Sequence, residues 1–167
     1  MFFSPFLEFL LPTLLLVIAL VDDLRSRKIH NKLLLILLPI VLVAVFLLKG
    51  FVGLKLGLFA ALLAMVLGVP LYSIRLIGGG DLKLLIVFAL TVDIFALSYS
   101  FIYSLFWALI LGVVKIILDK KIHYFLSNLL LIFTLKNKKI EKEALHTLPF
   151  SVAFLFGWLS YYSYNLL

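Results

Sequence analysis

The chain has 167 residues, 65% of them hydrophobic and 14% charged, with a mean hydropathy of +1.26. A soluble domain is about half apolar and about one-quarter charged, so this composition excludes an ordinary water-facing globule, and it excludes a disordered chain as well. The net charge of +7 then reports which loops stay inside a bilayer rather than a nucleic-acid partner, which is not expected.

The reading is an all-α, polytopic membrane protein forming one domain over residues 1–167. Apolar runs of about 20 residues mark spans. The first covers about Phe3–Val21 and is too long, and lacks the basic front, for a signal peptide. The second covers about Leu33–Leu48 and ends at Lys49-Gly50. The third covers about Phe51–Ile74, with Gly68 and Pro70 late in it. Leu82–Leu118 is too long for one span and suits two, with a tight turn near Asp93–Ser100. Ile122–Leu135 is short and has lysines on both sides, so it reads as an interfacial or re-entrant helix. A final span covers about Leu148–Leu166, which makes six, and Trp158, Tyr161, Tyr162 and Tyr164 read as an aromatic belt at its outer end.

Six spans place segments 22–32, 75–83 and 115–146 on one side. Of the 15 basic residues, all but Lys49 and Lys55 lie in those segments. By the positive-inside rule they face the cytoplasm and both termini face outward, in a plasma membrane.

Acids near membrane depth are costly and therefore informative. Glu8 and Asp93 fall toward the outer side, while Asp119, Glu141 and Glu143 sit among lysines. Asp22, Asp23 and Asp81 remain, all at the cytoplasmic boundary. Each has a plain structural reading: Asp81 as a helix N-cap after a glycine loop, and Asp22-Asp23 as balance for Arg25, Arg27 and Lys28. Yet two separated acids at equal depth also suit a carboxylate pair. Such a pair cannot ionise twice cheaply, so one member keeps a proton while the other activates water. That is aspartic-protease chemistry, which needs no cysteine, metal or cofactor. The chain has no cysteine, and His30, His123 and His146 lack metal-ligand spacing.

The segment Asp23-Leu24-Arg25-Ser26-Arg27-Lys28-Ile29-His30-Asn31 resembles the first signature of type IV prepilin peptidases, a family of intramembrane aspartic peptidases of the Gly-x-Gly-Asp type. Gly78-Gly79-Gly80-Asp81-Leu82-Lys83 resembles their second signature, Gly-x-Gly-Asp-x-Lys, and Leu148-Pro149-Phe150 is similar to the Pro-Phe element of their last helix. The resemblance runs over roughly residues 15–160. It implies a catalytic pair of Asp23 and Asp81, with Asp23 preferred to Asp22 because it stands eight residues before Asn31. It also implies that Gly78, Gly80, Lys83 and Asn31 position the loops or the substrate. The implied activity is removal of a short basic leader, commonly ending in Gly, from prepilin-like or pseudopilin precursors at the cytoplasmic face, with a role in pilus assembly or protein secretion.

His30 stands where the family usually has Pro. No paired-cysteine region precedes the first span, so a short, peptidase-only form without N-methylation is expected. Lys83, two residues from Asp81, either tunes that acid and orients a carbonyl or snorkels to the interface. Two other readings remain open. One is a protease of the presenilin or signal-peptide-peptidase kind. The other is a small proton- or ion-coupled transporter or a secretion-machine subunit.

Overall fold

A computed structural model describes residues 5–26, 28–74, 76–118 and 150–166, and every regular element in them is helical. The helices are α1 (Pro5–Ser26), α2 (Asn31–Ser73), α3 (Gly79–Ala89), α4 (Ile94–Leu118) and α5 (Phe150–Leu166). The expected interfacial helix at Ile122–Leu135, together with Asp119, Glu141, Glu143, His123, His146 and Leu148-Pro149, lies outside the described residues.

α2 is broken at Gly50, whose φ of 65° is left-handed and non-helical. A straight helix of 43 residues would run about 65 Å. The contacts of α2 require something else. At its start, Asn31 Oδ1 accepts a hydrogen bond from Lys83 Nζ at 2.8 Å, in the first half of α3. At the break, Lys49 Nζ donates to the Thr91 carbonyl just past the end of α3. Beyond it, Gly57 abuts Leu90 and Gly68 abuts Leu82 and Leu85. One limb therefore runs up along α3 and the other runs back down it. The runs read as the second and third spans correspond to these two limbs.

α3 departs from expectation. It has 11 residues, or about 16 Å, against a hydrocarbon core of about 30 Å. The turn expected near Asp93–Ser100 lies earlier, at residues 90–93, where Asp93 accepts the Ala96 N–H through Oδ1 and the Leu97 N–H through its carbonyl, starting α4. The count of six spans is accordingly not carried. Among the described residues two helices are long and apolar enough to cross by themselves, Asn31–Ser73 and Ile94–Lys115. α3 is too short at 11 residues, the 17 residues of α5 stand at the lower limit of a span, and α1 holds Glu8, Asp22, Asp23 and Arg25 within its bounds.

The helices turn much of their apolar surface outward: Leu35 is 75% exposed, Phe95 71% and Leu109 65%. Patches of that extent call for lipid rather than water. Helix contacts are made by small residues, as membrane packing favours. Gly57, Ala60, Ala61, Ala64 and Gly68 line the buried face of α2's second limb, and Gly157 of α5 fits against the Ser100–Ser104 backbone of α4. Phe88 fills the centre, edge-on to Phe154 and Trp158. Trp158 is thus a core residue, its indole N–H donating to Thr13 Oγ1 at 2.9 Å, and not part of an interface belt; Tyr164 alone of that cluster is strongly exposed.

Candidate active site

The polar residues sort to the two ends of the bundle. Glu8, Lys49 and Thr91 gather at one end, with Lys49 Nζ 3.7 Å from Glu8. Asp22, Asp23, Asn31, Asp81, Lys83 and Ser151 gather at the other.

Adjacent residues of a helix point about 100° apart, and the two acids ending α1 have different surroundings. Asp22 faces the loop into α2. Its Oδ2 accepts the His30 backbone N–H at 2.8 Å, and its Oδ1 lies 3.0 Å from His30 Nδ1. These contacts, the backbone N–H foremost, hold its carboxyl below the ordinary value of 3.8. Ser26 tightens the same turn by donating to the carbonyls of Asp22 and Lys28. Asp23 faces inward and is 6% exposed; its Oδ2 accepts a hydrogen bond from the fully buried hydroxyl of Ser151, in the first turn of α5.

Asp81 reaches the same region from the first turn of α3. Gly78, the N-cap, has no side chain to offer, and the Asp81 carboxylate fills the role by folding back so that Oδ2 accepts the Gly78 N–H at 3.0 Å. Burial pushes the Asp81 carboxyl up to about 6; the Gly78 N–H opposes that shift and the like charge of Asp23 adds to it. The two acids, 58 positions apart in sequence, therefore act on one another through space.

The remaining expected residues divide into two groups. A Cβ on Gly80 would come within 3.1–3.2 Å of Ile29, and one on Gly78 within 3.0 Å of Asp81 Oδ2; on Gly79 it would meet only Tyr72, at 3.5 Å. Gly80 thus permits the close approach of the glycine loop to the α1–α2 loop, and Gly78 leaves room for the Asp81 carboxylate to fold back. Lys83 does not turn to Asp81. Its ammonium bonds Asn31, tying the start of α3 to the start of α2. His30, in the place of a proline, keeps a proline-like φ of −71° and uses the N–H that proline would lack.

Ser151 was not among the residues singled out from sequence. Its only signal is a hydroxyl beside Phe150 at the head of an apolar helix. Among the described residues no group of three or more His, Cys, Asp or Glu side chains could hold a metal ion.

The type IV leader peptidase family model matches residues 9–114, from α1 into α4, and so takes in both aspartate-bearing segments and the glycine loop. No curated protein and no solved structure matches the chain significantly. With that match spanning well over half of its length, the chain belongs to the type IV leader peptidase family.

Proposed function

We propose that the protein is a membrane-embedded aspartic endopeptidase that removes the short basic leader of type IV prepilin-like precursors, with Asp23 and Asp81 as its catalytic pair. The observation that carries this reading is the convergence of the two acids from α1 and α3, with the Asp81 carboxyl raised to about 6. A dyad works with one proton shared between two carboxyls, and Asp81 is the member that holds it.

In this mechanism a water lies between the acids. Asp23 takes one of its protons as the water oxygen bonds to the scissile carbonyl carbon, and Asp81 gives its proton to the carbonyl oxygen. The resulting gem-diol collapses as the amide nitrogen gains a proton from Asp23 and the C–N bond breaks. A hydroxyl proton of the diol returns to Asp81. The chemistry requires no cofactor.

The acids sit at one end of the bundle, which suits a scissile bond at the membrane edge. A precursor with a basic leader in the cytoplasm and an apolar helix in the bilayer presents its bond there. Gly80 lets the glycine loop close against Ile29, Gly78 lets the Asp81 carboxylate fold back beside it, and the Lys83–Asn31 bond ties the start of α3 to the start of α2, which together would hold the loops on either side of the acids. The whole chain would form one peptidase domain of the plasma membrane. α1, both limbs of α2, α4 and α5 cross it, and α3 with its following turn joins the two ends. The Asp23 end faces the cytoplasm and both termini face out, in keeping with the basic loops.

The test is purified protein in detergent with a precursor carrying a short basic leader ending in Gly. Mass spectrometry should find the leader released after that Gly. An intact precursor, with proton flux when the same protein is placed in liposomes, would favour the transporter reading instead. Reporters fused after Leu167 and within residues 136–143 should lie on opposite sides; a shared side would overturn the orientation.

A further inference from the structure

We infer that Ser151 is a positioning residue for Asp23, donating the hydrogen bond that aims one carboxylate oxygen at the dyad and keeps it ready to act as the base. This rests on the reading of Asp23 and Asp81 as the catalytic pair and assigns that pair a third side chain, from outside the matched region 9–114.

Ser151 is fully buried, and a buried hydroxyl must find a partner. A serine in a helix commonly satisfies itself on a backbone carbonyl one turn back, as Ser73, Ser98 and Ser26 do here. Ser151 instead reaches a carboxylate 128 positions away in sequence. A hydroxyl has one hydrogen to give, so this bond commits it. The result is a matched arrangement in the two acids. Asp23 has Oδ2 anchored by Ser151, and Asp81 has Oδ2 anchored by the Gly78 N–H. Among the described residues, neither Oδ1 has a hydrogen-bond partner, which leaves one oxygen of each acid for water and substrate.

A donor to a carboxylate favours its charged form. The other groups around Asp23 do not replace it: Asp81 of α3 is itself an acid and supplies no positive charge, Asp22 of α1 is engaged with His30, and Lys83 of α3 is spent on Asn31 of α2. Loss of the Ser151 hydroxyl therefore makes the first ionisation of the pair harder and frees the Asp23 carboxylate to rotate.

The experiment compares S151A, S151T and S151V with wild type in pH–rate profiles for precursor cleavage in detergent, with D23N alongside. S151A and S151V should lower kcat by about 10-fold near pH 6, as expected for a lost bond to a charged group. KM should change little, and the acid limb of the profile should move to higher pH. S151T, which keeps the hydroxyl, should restore both. Thr and Val have nearly the same volume, so their difference isolates the hydroxyl even if Ala loosens the helix. An unmoved acid limb in S151A and S151V, or equal behaviour of S151T and S151V, overturns the assignment. D23N separates the two claims: inactive D23N with a wild-type S151V profile sinks only the role of Ser151, whereas active D23N sinks the dyad itself.

Discussion

The His30 backbone N–H donates to Asp22 Oδ2 at 2.8 Å, and that one bond gives the acid beside Asp23 a structural task. Asp22 closes the turn that brings the chain from α1 into α2, and so sets where Ile29 meets Gly80. The two neighbouring carboxylates divide the work: one holds the loop and the other faces the site.

Asp22→Asn should therefore weaken the fold rather than the chemistry, in a pH-dependent way. The Asp22 carboxyl is depressed in the folded state, so its contribution is present above the unfolded value of 3.8 and is lost as pH falls through the folded value. Thermal melts in detergent should show the variant melting below wild type at pH 7, with the gap closing below about pH 3.8. A gap that persists unchanged at low pH would mean that the carboxylate is not what holds the loop.

Asp81 should behave in the opposite sense. Its folded value is raised to about 6, so ionising it costs stability. That cost is full above about pH 6, shrinks as pH falls toward 3.8 and is absent below. Asp81→Asn keeps an acceptor for the Gly78 N–H and removes the charge. It should raise stability at pH 8 by on the order of 1–2 kcal/mol, allowing for the group's partial exposure, and should change nothing near pH 3.5. A variant less stable than wild type at pH 8 would show that the acid is not under strain.

Glycine contacts rank a third set of variants. A Cβ at Gly57 would stand 2.4 Å from the Leu90 carbonyl oxygen, and one at Gly157 2.5 Å from the Ser104 nitrogen; both are backbone atoms that cannot step aside. Gly57→Ala and Gly157→Ala should each cost about 1–3 kcal/mol by overpacking. At Gly68 the obstacle is the end of the Leu82 side chain, which can turn, and at Gly79 there is only ordinary contact. Gly68→Ala should be milder, and Gly79→Ala within about 0.5 kcal/mol of wild type. Chemical denaturation of the four variants checks the order, and Gly79→Ala as the worst of them would contradict it.

What could be read from the sequence follows from what hydrophobicity encodes. Lys49-Gly50 divides two apolar runs, and the chain reverses there because only the glycine tolerates the left-handed φ. The limits of α3 were hidden. The apolar run continues without period through Leu90, Thr91 and Val92, and nothing in it marks a helix of 11 residues. Asp22 and Asp23 were distinguishable only through the resemblance, since helical geometry sets the angle between them and not which one faces inward. Trp158 was misplaced because an indole suits a membrane interface and a core equally well. Ser151 could not be found at all, because a serine in an apolar helix usually bonds its own backbone. Its partner is supplied by tertiary packing alone.

The dyad itself is tested most directly by cleavage of a basic-leader precursor by purified wild type, D22N, D23N and D81N, each first shown to be inserted and folded. General acid–base roles are worth about 10²–10⁴ in rate. D23N and D81N should therefore each lose at least about 10²-fold in kcat/KM, while D22N keeps most of the wild-type rate at pH 7. Wild-type cleavage by D23N or by D81N, or a loss in D22N equal to theirs, would contradict the assignment.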